Sequence, residues 1–178
     1  MKIRKFILVL FSLLFVFLIW FSYKVGILKS VEIRQEKAGP LMLVYKEHVG
    51  PYHEIIDAIS AVETWAKENK ISCRKTFGEY LDDPQVVEHD RLRSLGGCVV
   101  DLTIETLPAD LKFKSVPEKN YVVGLFYGAP MIGPYKVYPK ASEYFSAHGL
   151  KQSSSVIEIY EMMNEKELLT KYLFEILP

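Results

Sequence analysis

The sequence predicts an α+β fold: two strand-helix-strand-strand units related by pseudo-twofold symmetry, with a groove between them, behind one transmembrane helix. Duplication is indicated by an apolar run that leads into a Gly-Pro-Tyr triplet at 50–52 and is echoed by a run leading into the same triplet at 133–135. In both places a strand-like stretch breaks at the glycine-proline pair into a helical pattern. We therefore expect a domain at 31–178 that contains repeats over about 31–102 and 113–178.

The first element is an apolar run behind a basic N-terminus. Residues 1–5 carry three basic side chains, and residues 6–21 are apolar except for Ser12. A bilayer core about 30 Å thick requires about 17 to 25 mostly apolar helical residues, and extension to residue 28 meets that length. We expect a single-pass transmembrane anchor at 6–28. A cleaved signal peptide is the alternative, but the run ends in aromatic residues where small ones would precede a cleavage site.

Basic residues lie on both sides of this run, so the orientation of the anchor rests on their spacing. Three basic residues are packed into 1–5, whereas Lys24, Lys29 and Arg34 are spread out after the run. The closer cluster favours an N-terminus inside and a domain on the outer, periplasmic or extracytoplasmic, side.

The first unit combines strands with one amphipathic helix. Pro51 suits the first helical turn, and apolar residues at helical spacing predict a helix over about 52–70. Alternating or short apolar runs bounded by turn residues predict the strands of this unit. They are expected at 31–37, 41–48, 72–81 and 91–102.

The second unit follows a mixed connector at 103–120 that contains two prolines. Helical spacing of apolar residues predicts a helix over 134–148, with Gly149 at the left-handed position that ends it. The strands of this unit are expected at 121–127, 155–161 and 168–177.

Charge and motifs exclude several classes of function. Charge is balanced, with 22 basic and 22 acidic residues, so the electrostatic footprint of a nucleic-acid-binding protein is absent. The four histidines are scattered, and the two nearest in sequence, His48 and His53, straddle a turn. No glycine-rich phosphate loop, HExxH motif or nucleophile elbow occurs. We therefore predict no catalytic residue, no metal site and no cofactor.

The two cysteines, Cys73 and Cys98, are too few for a disulfide framework. If the strands around them pair about a centre near 85–86, the two cysteines lie opposite each other, and a location outside the cell membrane would permit a disulfide. Two buried free thiols are the preferred interpretation.

Several segments together resemble a known family. The sequence at 50–55, the helix that follows it to Ala66, the strand 155–160 and the C-terminal residues 176–178 resemble the gyrase-inhibitor-like (GyrI-like) small-molecule-binding domain. That domain is also the effector-binding module of AraC-type and multidrug-sensing regulators. The resemblance implies a groove that binds a small molecule.

A narrower resemblance concerns the membrane segment. Residues 80–84 and 95–98, behind one N-terminal hydrophobic helix, are similar to the membrane-anchored testis-expressed receptor of ER-phagy. We do not predict a role in ER-phagy from this resemblance, because that receptor acts through a long disordered tail beyond the domain. The aromatic-x-x-aliphatic match at 174–177 lies in a predicted strand.

The strand at 155–161 carries the predicted binding site. Side chains alternate along a strand, so Ile157 and Ile159 are expected on the helix-covered face and Glu158 and Tyr160 in the groove. Relatives that bind cationic drugs resemble this arrangement, in which a carboxylate and aromatic ring faces both attract a cation. The alternative is an ordinary glutamate on an exposed strand face. The predicted ligand-binding residues are Tyr45, Tyr52, Tyr80, Tyr127, Tyr135, Glu158 and Tyr160.

Three functions remain open at this point. The preferred one is a membrane-anchored module that binds a small amphipathic or cationic ligand, or a hydrophobic segment of a partner. A hydrolase of reactive electrophilic small molecules is an alternative, because a carboxyl group shielded by rings has a raised pKa and transfers protons near neutrality. A ligand-free protein-interaction scaffold is the third. No DNA-binding helix-turn-helix precedes the domain, and nucleic acid is not an expected partner.

Overall fold

The computed structural model describes residues 2–164 and 167–178, and Met1 of the predicted basic segment 1–5 lies outside them. The described chain has an α+β fold, with three α-helices and an eight-stranded antiparallel sheet. The helices are α1 (Lys2–Val25), α2 (Ile55–Glu68) and α3 (Gly133–Ala147). The strands are β1 (Glu32–Ala38), β2 (Leu41–Val49), β3 (Lys75–Tyr80), β4 (Arg93–Val100), β5 (Lys112–Val116), β6 (Lys119–Tyr127), β7 (Lys151–Asn164) and β8 (Glu167–Leu177).

The sheet is strongly curved. Its strand order is β1-β6-β8-β7-β3-β4-β2-β5, which puts β1 six strand spacings from β2, and β5 six spacings from β6. In a flat sheet six spacings of about 4.8 Å amount to roughly 29 Å. Two residues join Ala38 to Leu41, and two join Val116 to Lys119. Because such a link reaches at most about 11 Å, the sheet must curl until its edges approach each other.

Apolar side chains inside the curve bury one another without a covering helix. Every strand alternates its side chains between the two faces, so each central strand contributes to this inner layer. The layer forms one continuous core cluster across the sheet. Its buried members are Leu43, Phe77, Leu95, Tyr121, Val123, Leu125, Ile157, Ile159 and Leu173.

The outer face is covered by two helices that pack side by side on different strands. Helix α2 contacts β4, β2 and β3, whereas α3 contacts β6, β1 and β8, so β7 lies between the two helices. Glycines permit this close packing. A Cβ on Gly96 would lie 2.9 Å from Ile59 Cγ1, and one on Gly124 would lie 2.5 Å from Val137 Cγ1.

The predicted elements are largely present, with some differences at their ends. The helices predicted over 52–70 and 134–148 appear as α2, preceded by a 3₁₀ turn at Tyr52–Glu54, and as α3. Gly149 has a φ of 63°, the left-handed conformation expected at this helix end.

One strand was not predicted. Residues Lys112–Val116, assigned from sequence to the connector, form β5 and pair with β2, so that Val44 faces Phe113. A five-residue strand with a distant partner is stabilised by that pairing rather than by its own pattern. The strand order keeps β2, β4 and β3 adjacent, and likewise β7, β8 and β6. The pseudo-twofold relation between these two groups stays a prediction.

Helix α1 precedes the first strand of the sheet. Its segment Arg4–Val25 has 22 residues and is long and apolar enough to cross a membrane, and its most apolar 18-residue window is not buried in the domain. A signal sequence near an N-terminus meets the same criteria of length and composition.

The cysteines are joined, so the preferred interpretation as free thiols is wrong. Cys73 and Cys98 form a disulfide with a Cα–Cα distance of 5.4 Å. The register expected from sequence is also wrong, because Cys98 faces Thr76 across the β3–β4 pair, three residues beyond the position predicted. The bond therefore links buried Cys98 to the segment just before β3.

We expect mass spectrometry of the intact, unreduced protein to show no alkylation of Cys73 or Cys98 until a reductant is added. The disulfide closes a loop with a sequence separation of 25 residues. Loop-closure entropy then predicts that the Cys73→Ala, Cys98→Ala double variant loses about 3.5 kcal/mol of unfolding free energy. Alkylation of both thiols in the native protein without reductant would contradict this assignment.

Candidate functional site

Glu158 lies near the middle of β7, between α2 and α3. Tyr138 of α3 donates a hydrogen bond to it, and its cross-strand neighbour on β3 is Gly78. A Cβ on Gly78 would lie 3.1 Å from Ile55 Cδ1 of α2 and 3.1 Å from the hydroxyl of Tyr80. The glycine thus leaves room for both the helix and the Tyr80 side chain beside Glu158.

The two faces of β7 are the reverse of those predicted. Ile157 and Ile159 belong to the inner core of the curved sheet, which contains no helical residue. Glu158 and Tyr160 point to the outer, helix-covered face, where Tyr138 meets Glu158. The prediction assumed that apolar strand residues must face helices, but curvature gives this sheet a second dry face.

A chain of hydroxyl groups surrounds the carboxyl group. Tyr138 donates to Glu158 Oε1 at 2.9 Å, and Tyr160 donates to Oε2 at 3.0 Å. The hydroxyls of Tyr80 and Tyr160 are 3.0 Å apart, and because Tyr160 uses its proton on Glu158, Tyr80 is the donor in this pair. Three tyrosines therefore form one network that ends on a single carboxylate.

Further aromatic and polar side chains complete the surroundings. The ring of Tyr52 meets that of Tyr80 edge-on at 4.8 Å, and its hydroxyl donates to the backbone carbonyl of Asp82 at 2.7 Å. On β8, Tyr172 faces Glu158 across the strand pair and Thr170 faces Tyr160. The hydroxyls of Tyr172 and Thr170 are buried and have no hydrogen-bond partner among the described residues.

Burial controls the ionisation of this cluster. Glu158 is 3% exposed, and desolvation raises its pKa from 4.5 to about 7, although the hydrogen bonds from Tyr138 and Tyr160 act in the opposite direction. Burial, and then the negative charge of Glu158, raise the pKa of Tyr80, Tyr138 and Tyr160 above the usual tyrosine value. The tyrosines therefore remain donors at neutral pH, while the carboxyl group titrates there.

The structure brings together four of the seven predicted site residues. Tyr80, Glu158 and Tyr160 share the hydrogen-bond network, and Tyr52 contacts it through the ring of Tyr80. Whether they bind a ligand stays a prediction.

The other three predicted site residues lie elsewhere. Tyr45 packs against the inner core, with Lys114 Nζ 5.5 Å from its ring centroid. Tyr127 ends β6 and Tyr135 lies in the first turn of α3, where it is 82% exposed. Repeat alignment selected these residues by position in the chain, but the fold places them away from Glu158.

Tyr138 is the main site residue that sequence reasoning missed. It lies within the predicted helix 134–148, where helical spacing groups its ring with the apolar residues and gives no signal for its hydroxyl. A tyrosine on the buried side of a helix usually finds a partner for its hydroxyl. That rule, applied to α3 over β7, could have paired Tyr138 with Glu158.

Glu158 itself is covered in this structure, at 3% exposure, whereas the three tyrosines of the network are half-buried. Two cavities, of about 330 and 370 Å³, lie on the inner face of the sheet, and neither is lined by Glu158 or Tyr160. The first is lined by residues such as Glu79 and Tyr121, and the second by residues such as Lys75 and Lys171. Access to Glu158 therefore requires the surrounding rings to move.

The raised pKa of Glu158 predicts a pH-dependent stability. Ionisation of a buried carboxyl group opposes folding, so the unfolding free energy of the protein falls as pH rises from 4.5 towards the folded-state pKa of about 7. At about 1.4 kcal/mol per pKa unit, this term amounts to roughly 3 kcal/mol. Glu158→Gln lacks this ionisation, so its unfolding free energy should rise by that amount relative to the native protein between pH 4.5 and pH 8. Urea unfolding of the detergent-solubilised chain measures the difference.

Glu161→Gln is the matched control. Glu161 lies three residues further along β7 on the other face and pairs with Lys75 at 3.0 Å near the surface. Its pH profile should follow that of the native protein. Parallel profiles for Glu158→Gln and the native chain would show that Glu158 is not desolvated.

Comparison with known proteins agrees with this architecture. The family model of the GyrI-like small molecule binding domain matches residues 31–177. A protein named DNA gyrase inhibitor from Pectobacterium carotovorum subsp. carotovorum is 34% identical over 96 residues, which cover 52% of this chain. The match spans 62% of the length of that relative.

Solved structures share the fold at low sequence identity. The crystal structure of the EcmrR C-terminal domain matches with a TM-score of 0.65 and 13% identity, over 83% of this chain and 98% of that one. The structure of SAV2435 bound to tetraphenylphosphonium matches with a TM-score of 0.52 and 12% identity, over 82% and 94% of the two chains. Because the family model matches residues 31–177, the chain belongs to the family of GyrI-like small molecule binding domains.

Proposed function

We propose that this protein is a membrane-anchored binding protein whose GyrI-like domain takes up a small cationic or amphipathic molecule at Glu158. One observation carries the proposal: Glu158 is buried, and no lysine or arginine among the described residues pairs with it. A buried carboxylate without a positive partner is costly, so a cation that reaches it is strongly favoured.

The surroundings suit an organic cation better than a metal ion. Glu158 supplies one carboxylate, and the described residues contain no group of three or more histidine, cysteine or acidic side chains that could hold a metal. Tyrosine rings attract a positive charge through their faces and offer apolar surface to its substituents. The structure of the relative SAV2435 contains the lipophilic cation tetraphenylphosphonium, which supports the same ligand class here.

Binding requires the network to open. Tyr138 and Tyr160 each donate to a carboxylate oxygen, and a ligand that approaches Glu158 directly must displace at least one of these donors. Each hydrogen bond contributes about 1.5 to 3 kcal/mol when one partner is charged. The buried hydroxyls of Thr170 and Tyr172 are new partners for a displaced tyrosine or for a polar group of the ligand.

The proposed protein has its anchor at 6–28 and its ligand-binding domain at 31–178, on the extracytoplasmic side of the membrane. The disulfide between Cys73 and Cys98 supports this side, because disulfides persist in oxidising compartments. The adjacency of β2, β4 and β3, and of β7, β8 and β6, supports the pseudo-twofold arrangement, with Glu158 near the junction of the two units.

A protein-interaction scaffold is the second candidate. The 3% exposure of Glu158, and the hydrogen bonds that its two oxygens already accept from Tyr138 and Tyr160, favour it. In a scaffold the tyrosines would serve only to satisfy a buried carboxyl group. The two candidates differ in whether a cation perturbs Glu158.

Tetraphenylphosphonium is a suitable probe, and its affinity should rise with pH. With a pKa of about 7, Glu158 is about one-tenth ionised at pH 6 and nine-tenths ionised at pH 8. Calorimetry on the detergent-solubilised chain should therefore show about tenfold tighter binding at pH 8 than at pH 6. Glu158→Gln should lose at least about tenfold in affinity at pH 8 and the pH dependence with it.

Glu161→Gln again serves as the control and should bind as the native protein does, since it lies on the opposite face of β7. Binding that is equal in the native protein and in Glu158→Gln would place the cation elsewhere. If no member of a panel of lipophilic cations binds the folded protein, the scaffold is the better account.

A further inference from the structure

We infer that the end of the domain next to α1 is docked on the bilayer surface, with its exposed apolar side chains among the lipid headgroups. This inference rests on the proposed membrane anchor. The surface concerned, called here the basal surface, is formed by the turn after α1, the loop before α3 and the described residues at the end of the β7–β8 hairpin, Met162, Met163 and Leu168. Its exposed members are Ile27, Leu28, Met131, Tyr135, Met162 and Met163.

The first argument is that the loop before α3 is bonded to the end of α1. The amide of Ala129 donates to the carbonyl of Val25 at 3.1 Å. Contacts are close on both sides of this bond: a Cβ on Gly26 would lie 2.8 Å from the ring of Phe126, and one on Gly128 would lie 3.0 Å from the Val25 carbonyl oxygen. The domain is therefore in direct contact with the last residue of the candidate span.

The second argument is a clamp from α3. Lys136 Nζ donates to the backbone carbonyls of Gly26 at 3.2 Å and Ile27 at 2.7 Å, and also to that of Lys29. These carbonyls belong to the turn after α1, and that of Gly26 also accepts a hydrogen bond from the Lys29 amide at 3.1 Å. Lys29 in turn pairs with Glu167 of β8 at 2.9 Å. The turn after α1 is thus held to two elements of the domain.

The hairpin end belongs to the same surface. The amide of Gly128 donates to the carbonyl of Leu168 at 3.1 Å, and Leu168 faces Met162 across the β7–β8 pair. Met162 and its neighbour Met163 are exposed next to this contact. The hairpin end therefore lies beside the loop that is bonded to Val25.

The level of the bilayer surface follows from these contacts. If α1 spans the membrane up to Val25, the boundary of the hydrocarbon core lies near that residue. A group that is bonded to Val25 then lies in the headgroup region. The two headgroup regions of a bilayer together add about 10 to 15 Å to the thickness of its hydrocarbon core. Met131 and Tyr135, 79% and 82% exposed, lie two and six residues from Ala129. Methionine and tyrosine at this depth suit the bilayer interface, where tyrosine is enriched.

The charges of this surface indicate the kind of lipid contact. Lys136 and Lys29 are already engaged by backbone carbonyls and by Glu167, and the exposed Lys24 in the last turn of α1 contributes one positive charge at this level. Docking is then driven by apolar and aromatic insertion, and zwitterionic phosphatidylcholine suffices. In this position the first turn of α3 lies at the membrane interface. Tyr138 follows Tyr135 by about one helical turn. Molecules that collect among the headgroups are therefore brought close to the Glu158 network.

Photocrosslinking tests the docking. The full chain is reconstituted in phosphatidylcholine vesicles with p-benzoylphenylalanine in place of Tyr135 or of Met131. The control carries it in place of Val86, which is 81% exposed in the loop beyond the Tyr80 end of β3. Tyr80 pairs with Val156, about 20 Å along β7 from Met162. We expect lipid adducts at 131 and 135 at least several-fold above those at 86, detected by intact mass spectrometry.

Two accompanying measurements separate the possible failures. Alkaline carbonate extraction of the same vesicles reports the anchor, and tetraphenylphosphonium binding reports the site. Retained, ligand-binding protein without lipid adducts at 131 and 135 overturns the docking alone. Extracted protein overturns the anchor and the docking together. Adducts to a second protein molecule at these positions, in place of lipid, also overturn the docking.

Discussion

The interaction that defines the candidate site is the burial of Glu158, whose two oxygens accept hydrogen bonds from Tyr138 and Tyr160. A carboxyl group at 3% exposure is tolerated because Tyr138 and Tyr160 donate to its two oxygens, and because its pKa has risen to about 7. The group is therefore neither firmly ionised nor firmly neutral. An arriving cation or a change of pH has a large effect on such a group, which makes it a suitable centre for a binding site.

The curved sheet makes this burial possible. Because its inner face already forms an apolar core, the outer face between α2 and α3 is free to hold a polar cluster over β7. Helix α3 has two roles, since Tyr138 reaches Glu158 while Lys136, two residues earlier, holds the turn after α1. Binding site and candidate membrane span are thus attached to the same helix, within one helical turn of each other.

The fold class and most elements were predictable because hydrophobic period and glycine-proline breaks are local signals. Tyr80, Glu158 and Tyr160 were predicted from the pattern of an acidic strand residue among rings, and the structure brings them together on the face opposite to the one predicted. Which face of β7 is covered by helices depends on the curvature of the sheet. Two short links between distant strands impose that curvature, and no local sequence pattern indicates it. Likewise, the disulfide depends on the register between strands. Tyr138 was missed because its ring lies among apolar residues at helical spacing, which gives no signal for a buried hydroxyl.

The central claim is that Glu158 is a buried, unpaired carboxyl group that a cation can engage. Carboxyl-carbon NMR of the full chain in detergent, with Glu158 assigned through Glu158→Gln, measures its ionisation directly. We expect a pKa of about 7 that falls when tetraphenylphosphonium is added, because the bound cation stabilises the carboxylate. A pKa near 4.5, or a raised pKa that no lipophilic cation changes, would contradict the account.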